Sequence, residues 1–131
     1  MALEPRAIRV ISFSGKQPDF RKWRKQFTAV AGTRGYLPVL LGDEVPPPFD
    51  AVLDPAADAE QIRIRNANNQ AYGDLILACT DDSSFEILDA AVTDVLPGGD
   101  AALAFQSLQN LGTKHKSFTK LITQEVSDFH P

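Results

Sequence analysis

An all-α bundle of about five helices, led by a short extended or β N-terminal arm, is the fold class that this sequence predicts. Three observations predict it. Apolar residues recur at spacings of three and four along most of the chain, capping residues and Gly or Pro stops divide those stretches, and alternation is confined to residues 6–13. The 131 residues are 44% hydrophobic and 23% charged, the balance of a globular domain and not of a disordered chain. A chain of this length buries roughly two-thirds of its unfolded surface, enough for one core without staples.

The elements follow in order. Residues 1–17 form the arm: Arg6-Ala7-Ile8-Arg9-Val10-Ile11-Ser12-Phe13 roughly alternates, and Ser14-Gly15 breaks it. Pro18-Asp19 opens a first helix over about residues 18–32, with Phe20, Trp23, Phe27 and Val30 on one apolar stripe. Arg21, Lys22, Arg24 and Lys25 fall between them on the solvent side. Tyr36-Leu37-Pro38-Val39-Leu40-Leu41 is a short apolar segment, either one helical turn broken at Pro38 or a packed extended piece. Residues 43–57 are a loop whose Pro46-Pro47-Pro48 run favours polyproline II, a stiff connector or a ligand for a proline-reading domain.

A second helix is expected from about Asp58, its N-cap, to Cys79, with Asn69, Tyr72, Ile76 and Cys79 on one face and Leu75 beside them. Asp82 or Ser83 caps a third, in which Phe85, Leu88, Ala91, Val92 and Val95 line one face until Leu96-Pro97-Gly98-Gly99 ends it. Asp100 caps a fourth with Ala101, Ala104, Phe105, Leu108 and Leu111 inward. A fifth, over residues 116–129, carries Phe118, Leu121, Ile122, Glu125 and Phe129. There is no internal repeat.

Catalysis needs a nucleophile, a base or a metal, and the chain offers few candidates. His115 and His130, the two histidines, lie in the polar C-terminal stretch and pair by spacing with neither Cys79 nor an acid. A lone Cys79 excludes an intramolecular disulfide and any zinc site of several thiolates. Asp81-Asp82 reads as a helix cap. Ser14-Gly15-Lys16 lacks the upstream glycine and the hydroxyl residue of a phosphate loop. No catalytic, cofactor or metal residue is therefore expected, nor a small-molecule substrate. With no long apolar run, no membrane partner is expected either, and the location expected is cytoplasmic.

Charge is unevenly spread. Residues 1–34 carry a net +6, residues 35–112 a net −11 and the remainder +1. Oppositely charged regions of one chain suit head-to-tail contact between copies. For nucleic acid, helical spacing turns Trp23 away from any base and the acidic middle repels a phosphate backbone, which leaves only a weak contact along the basic first helix.

Phe13-Ser14-Gly15-Lys16-Gln17-Pro18-Asp19-Phe20-Arg21-Lys22-Trp23-Arg24-Lys25-Gln26-Phe27 resembles the opening of copia-type LTR retrotransposon Gag polyproteins, where a Phe-x-Gly stretch precedes an aromatic-x-x-Trp helix. Gly35-Tyr36 with Leu40-Leu41-Gly42, Asn69-x-Ala71-Tyr72, Leu96-Pro97-Gly98-Gly99-Asp100-Ala101-Ala102 and Phe105-x-x-Leu108 continue the likeness in the family's order. Phe105 stands where the family usually has Trp, and the family's following Tyr has no counterpart unless His115 takes its place. The resemblance implies a capsid N-terminal-like helical domain over residues 18–112, with residues 113–131 its last helix or a linker towards a missing C-terminal domain.

It further implies a structural protein whose copies self-assemble into a virus-like particle around the element's RNA, with RNA held by the missing downstream region. Phe13, Gly15, Phe20, Trp23, Phe27, Tyr72, Phe105 and Leu108 are its motif core. The candidate assembly interface sets Arg21, Lys22, Arg24 and Lys25 against Asp81, Asp82, Glu86 and Asp89 of a neighbour. The chain is then either a piece of a Gag protein or a shortened, host-adopted derivative. The alternative is a domesticated Gag-like adaptor holding a partner peptide in an apolar groove near Phe13 and Tyr36-Leu37.

Overall fold

Helix α1 spans Gln17–Arg34, starting one residue before the sequence expectation and ending two after it. Pro18 sits in its first turn, where no intrahelical donor is lost, and Asp19 faces the positive end of the helix dipole. The Ser14 hydroxyl organises the entry: it accepts from the Lys16 backbone N–H at 3.1 Å and donates to Asp19 at 2.7 Å. At the far end the Gly35 N–H returns to the Ala31 carbonyl at 2.9 Å.

The computed structural model describes residues 11–110, and within them the fold is an all-α bundle with no strand. After α1 comes a single turn, α2, over Leu37–Leu40. Pro38 starts this turn and does not break it, because its ring occupies a first-turn position. Helix α3 spans Ala59–Ala78 and α4 spans Asp82–Asp89. Helix α5 covers residues 101–110, with Asp100 accepting from the Leu103 N–H as expected of its cap. The core runs along α1, α2 and α3 and takes in Leu88 and the inward face of α5: Ala101, Ala104, Phe105 and Leu108. Residues 1–10 of the arm, Leu111 and the expected fifth helix lie outside the described residues.

Three sequence expectations are corrected. The cap of α4 is Asp81, whose Oδ2 accepts from the Ser84 N–H at 2.9 Å, so Asp82 already lies in the first turn. That helix also stops at Asp89, well before Leu96-Pro97. The Thr93 hydroxyl accepts from the Leu96 N–H at 2.9 Å, and this local turn competes with helix among β-branched residues. Ala91 is still buried, but Val92 and Val95 leave the helix and are exposed, as is Phe85. On α3 the buried face holds Asn68, Ala71, Tyr72, Leu75, Ala78 and Cys79, one residue off the expected Asn69. Asn69 is exposed and Ile76 is half-buried.

The proline loop is anchored to the fold at several points, while Pro48 and Phe49 stay exposed. Pro46 and Pro47 are buried, and the Arg65 guanidinium donates to the Pro48 and Ala51 carbonyls at 3.0 and 3.1 Å. The Phe49 N–H donates to the Val95 carbonyl at 2.9 Å, tying the loop to the turn before α5.

Candidate assembly surface

Trp23 is the hub of the motif residues. Its ring lies 5.0 Å from Phe13, 5.8 Å from Phe20, 4.9 Å from Phe27 and 6.2 Å from Phe105, between centroids. Aromatic pairs at these separations add about 0.5–1.5 kcal/mol each beyond the area they bury. The indole N–H donates to the Ile11 carbonyl at 2.7 Å, and the Phe13 N–H donates to the Ala78 carbonyl at 2.7 Å. Phe13 also forms an isolated parallel bridge with Cys79. The end of the arm is thus pinned between α1 and the close of α3.

Two glycines mark places where the backbone admits no side chain. Gly15 has φ +81°, and a Cβ there would lie 2.4 Å from Cγ of Asp81. Gly99 has φ +108°, and a Cβ there would lie 2.4 Å from the Tyr72 ring. Tyr72 in turn donates its hydroxyl to the Leu88 carbonyl at 2.6 Å. Asn68 completes this joint. Its side-chain N–H donates to the Gly99 carbonyl and its oxygen accepts from the Ala101 N–H, both at 2.9 Å, so one buried amide holds the turn and starts α5.

The eight charged candidates divide into two groups. Arg21, Lys22 and Lys25 on α1 and Asp82, Glu86 and Asp89 on α4 are all exposed. None of these six forms an ion pair with another described residue. Arg24 and Asp81 are already committed inside the fold. Arg24 donates to the Gln109 amide oxygen at 3.0 Å and lies 5.5 Å over the Phe105 ring, clamping α1 to α5. Asp81 caps α4 and presses on Gly15. Both are half-buried, which corrects the placing of Arg24 on the open solvent face.

Sequence reasoning missed a buried polar cluster. Asp74, 5% exposed, accepts from the Tyr36 hydroxyl at 2.7 Å and from Arg34 Nε at 2.8 Å. These bonds close α1, the α1–α2 turn and α3 on one carboxylate. The only signal was an acid inside the apolar second half of α3, three residues after Ala71 and one before Leu75. Burial, with the Asp74 carboxylate beside it, holds the Tyr36 phenol well above its ordinary value. The sign is therefore set: the folded state favours neutral tyrosine, so its contribution is complete below about pH 10 and is lost as pH rises beyond it. Tyr72 is raised in the same direction by burial and then by Asp89. Urea midpoints taken between pH 9 and pH 11.5 should fall in the wild type and fall less steeply in Tyr36→Phe. Parallel profiles would contradict this.

Cys79 is 1% exposed, and burial followed by the charge of Asp81 pushes its thiol up to about 12. A neutral, enclosed thiol is a poor nucleophile. Among the described residues, no three His, Cys, Asp or Glu side chains gather as a metal-ligand set, and no helix is long and apolar enough to cross a membrane. A shallow cleft of about 120 Å³ lies between the proline loop, Arg65, Asn68 and the turn at Leu96–Gly99.

No family model, curated protein or solved structure matches the chain. Function therefore rests on the chain's own residues and on the motif resemblance.

Proposed function

We propose that this chain is a structural capsid-type domain of a copia-type Gag protein. Its copies self-assemble through protein–protein contacts into a cytoplasmic virus-like particle, and RNA is held by sequence downstream of the domain. One observation carries the reading. Motif residues scattered from Phe13 to Leu108 meet in a single packing unit, with Phe13, Trp23, Phe27, Tyr72, Phe105 and Leu108 all buried. The resemblance assigns these residues to one core, and their packing together supports that assignment.

The exposed faces of α1 and α4 fit an assembling protein. Arg21, Lys22 and Lys25 against Asp82, Glu86 and Asp89 provide complementary charge, and individually weak contacts gain strength by repetition in a shell. The peptide-adaptor alternative lacks comparable support. Phe13 and Tyr36, two of the residues it invokes, are buried in the core and offer no surface to a peptide.

The test is reversal of the three exposed basic residues to Glu. The wild type should form particles when concentrated at low salt, and Arg21→Glu, Lys22→Glu and Lys25→Glu together should abolish them. The far-ultraviolet helical spectrum should not change, because all three side chains are exposed. Particles that persist after the reversal would contradict the proposed contact.

A further inference from the structure

The basic and acidic stretches do not sit at opposite ends of the fold. Both helices that carry them leave from one seam. At that seam Phe13 bridges Cys79, and Gly15 lies against the Asp81 carboxylate. Helix α1 begins two residues after Gly15 and α4 begins one residue after Asp81. At 1.5 Å per residue, Arg21 lies about 6 Å along α1 and the whole of α4 spans about 12 Å, so both charged stretches start within roughly two helical turns of the seam.

Exposed apolar residues also lie close in the chain to the residues of the seam. Ile11 precedes Phe13 by two residues and is 37% exposed; Leu77 precedes Cys79 by two and is 67% exposed. Phe85, whose N–H donates to the Asp81 carbonyl at 3.0 Å, is 47% exposed. Singly exposed apolar residues are ordinary, but three within four residues of the seam, on chain segments that lead into charges of opposite sign, suit an interface with an apolar centre and a polar rim.

We infer that this seam is the centre of a two-fold contact with a second copy of the chain, an inference that rests on the self-assembling function proposed above. A half-turn about an axis through the apolar centre brings the basic stretch of each copy onto the acidic stretch of the other. Two equivalent charge contacts form, the patch is consumed on both copies, and association through it stops at two. This departs from the head-to-tail contact that the charge asymmetry of the sequence suggested. A head-to-tail contact leaves one patch of each sign open, and it either closes into a ring of three or more chains or grows as a filament. In a shell the pair is a building block, joined to others through different surfaces.

Three proteins test the inference: the wild-type chain, a basic-reversed variant (Arg21→Glu, Lys22→Glu, Lys25→Glu) and an acid-reversed variant (Glu86→Lys, Asp89→Lys). The second leaves Asp82 in place in the first turn of α4. Sedimentation equilibrium is run below the concentration at which particles appear, with helical content checked for each. The wild type should plateau at the mass of two chains. Each variant alone should associate at least ~10-fold more weakly, and a 1:1 mixture should recover a closed pair of one chain each, since both contacts become attractive again.

Leu77→Ser, at an exposed site, should weaken the wild-type pair by about 10-fold through the apolar centre without touching a charge. A mixture whose mass rises past two chains, whether or not it then levels off, would overturn the two-fold contact and leave charge-driven assembly standing. A mixture that stays monomeric, while the wild type still associates, would overturn the seam as the contact and leave assembly to another surface. A wild type that never associates would overturn both.

Discussion

Trp23→Ala should remove about 3–5 kcal/mol of folding stability, the range for deleting a large buried aromatic side chain. The residue is 3% exposed and touches rings from the arm, from α1 and from α5, so the cavity cannot close by a shift of one neighbour. A domain of this size has only about 5–15 kcal/mol in total, so much of the chain should unfold at moderate urea. Trp23→Phe separates packing from hydrogen bonding. It keeps an aromatic ring but loses the donor to the Ile11 carbonyl, and should cost about 1 kcal/mol with faster exchange of the Phe13 amide. Urea unfolding of the two variants checks this. A loss below about 1 kcal/mol for Trp23→Ala would contradict Trp23 as the hub.

Gly99→Ala should cost about 2–5 kcal/mol, combining overpacking with a φ that side chains rarely adopt. The new Cβ would fall 2.4 Å from the Tyr72 ring, and that ring is held by its hydroxyl bond to the Leu88 carbonyl. Tyr72 cannot retreat without breaking the link between α3 and α4. Gly98→Ala is the built-in control. Its Cβ meets nothing within 4 Å, so the change should stay within about 0.5 kcal/mol. Equal losses at the two positions would mean that the turn as a whole, and not the Tyr72 contact, requires glycine.

Why some of this fold could be read from the sequence and some could not follows from what periodicity detects. The α1 stripe and the α5 face are set by large apolar residues at helical spacing, and Trp23, Phe27, Ala104, Phe105 and Leu108 are all buried as that spacing requires. On α3 the same rule slipped by one residue, because Asn68 and Asp74 are polar and buried. Their burial is compensated by hydrogen bonds to the Gly99 and Ala101 backbone, to Tyr36 and to Arg34. No hydropathy pattern registers a partner that distant in sequence.

The charged surface shows the same boundary. Exposure of Arg21, Lys22 and Lys25 follows from the helical wheel. The commitment of Arg24 to Gln109 and Phe105 depends on how α1 crosses α5, which the wheel of one helix does not contain. The Gly15-to-Asp81 contact is likewise tertiary, and it is what brings the two charged stretches to one seam. The sequence motif had already picked out Gly15, but without the reason for it.

Association of this domain with its own copies through exposed charge underlies the proposed function. The most direct measurement is a light-scattering mass series over rising concentration of the wild-type chain, at low and at high salt. The mass should grow at low salt, through a two-chain plateau towards particles, and that growth should shift to much higher concentration when salt shortens the screening length. A mass of one chain at every concentration and both salts would contradict it.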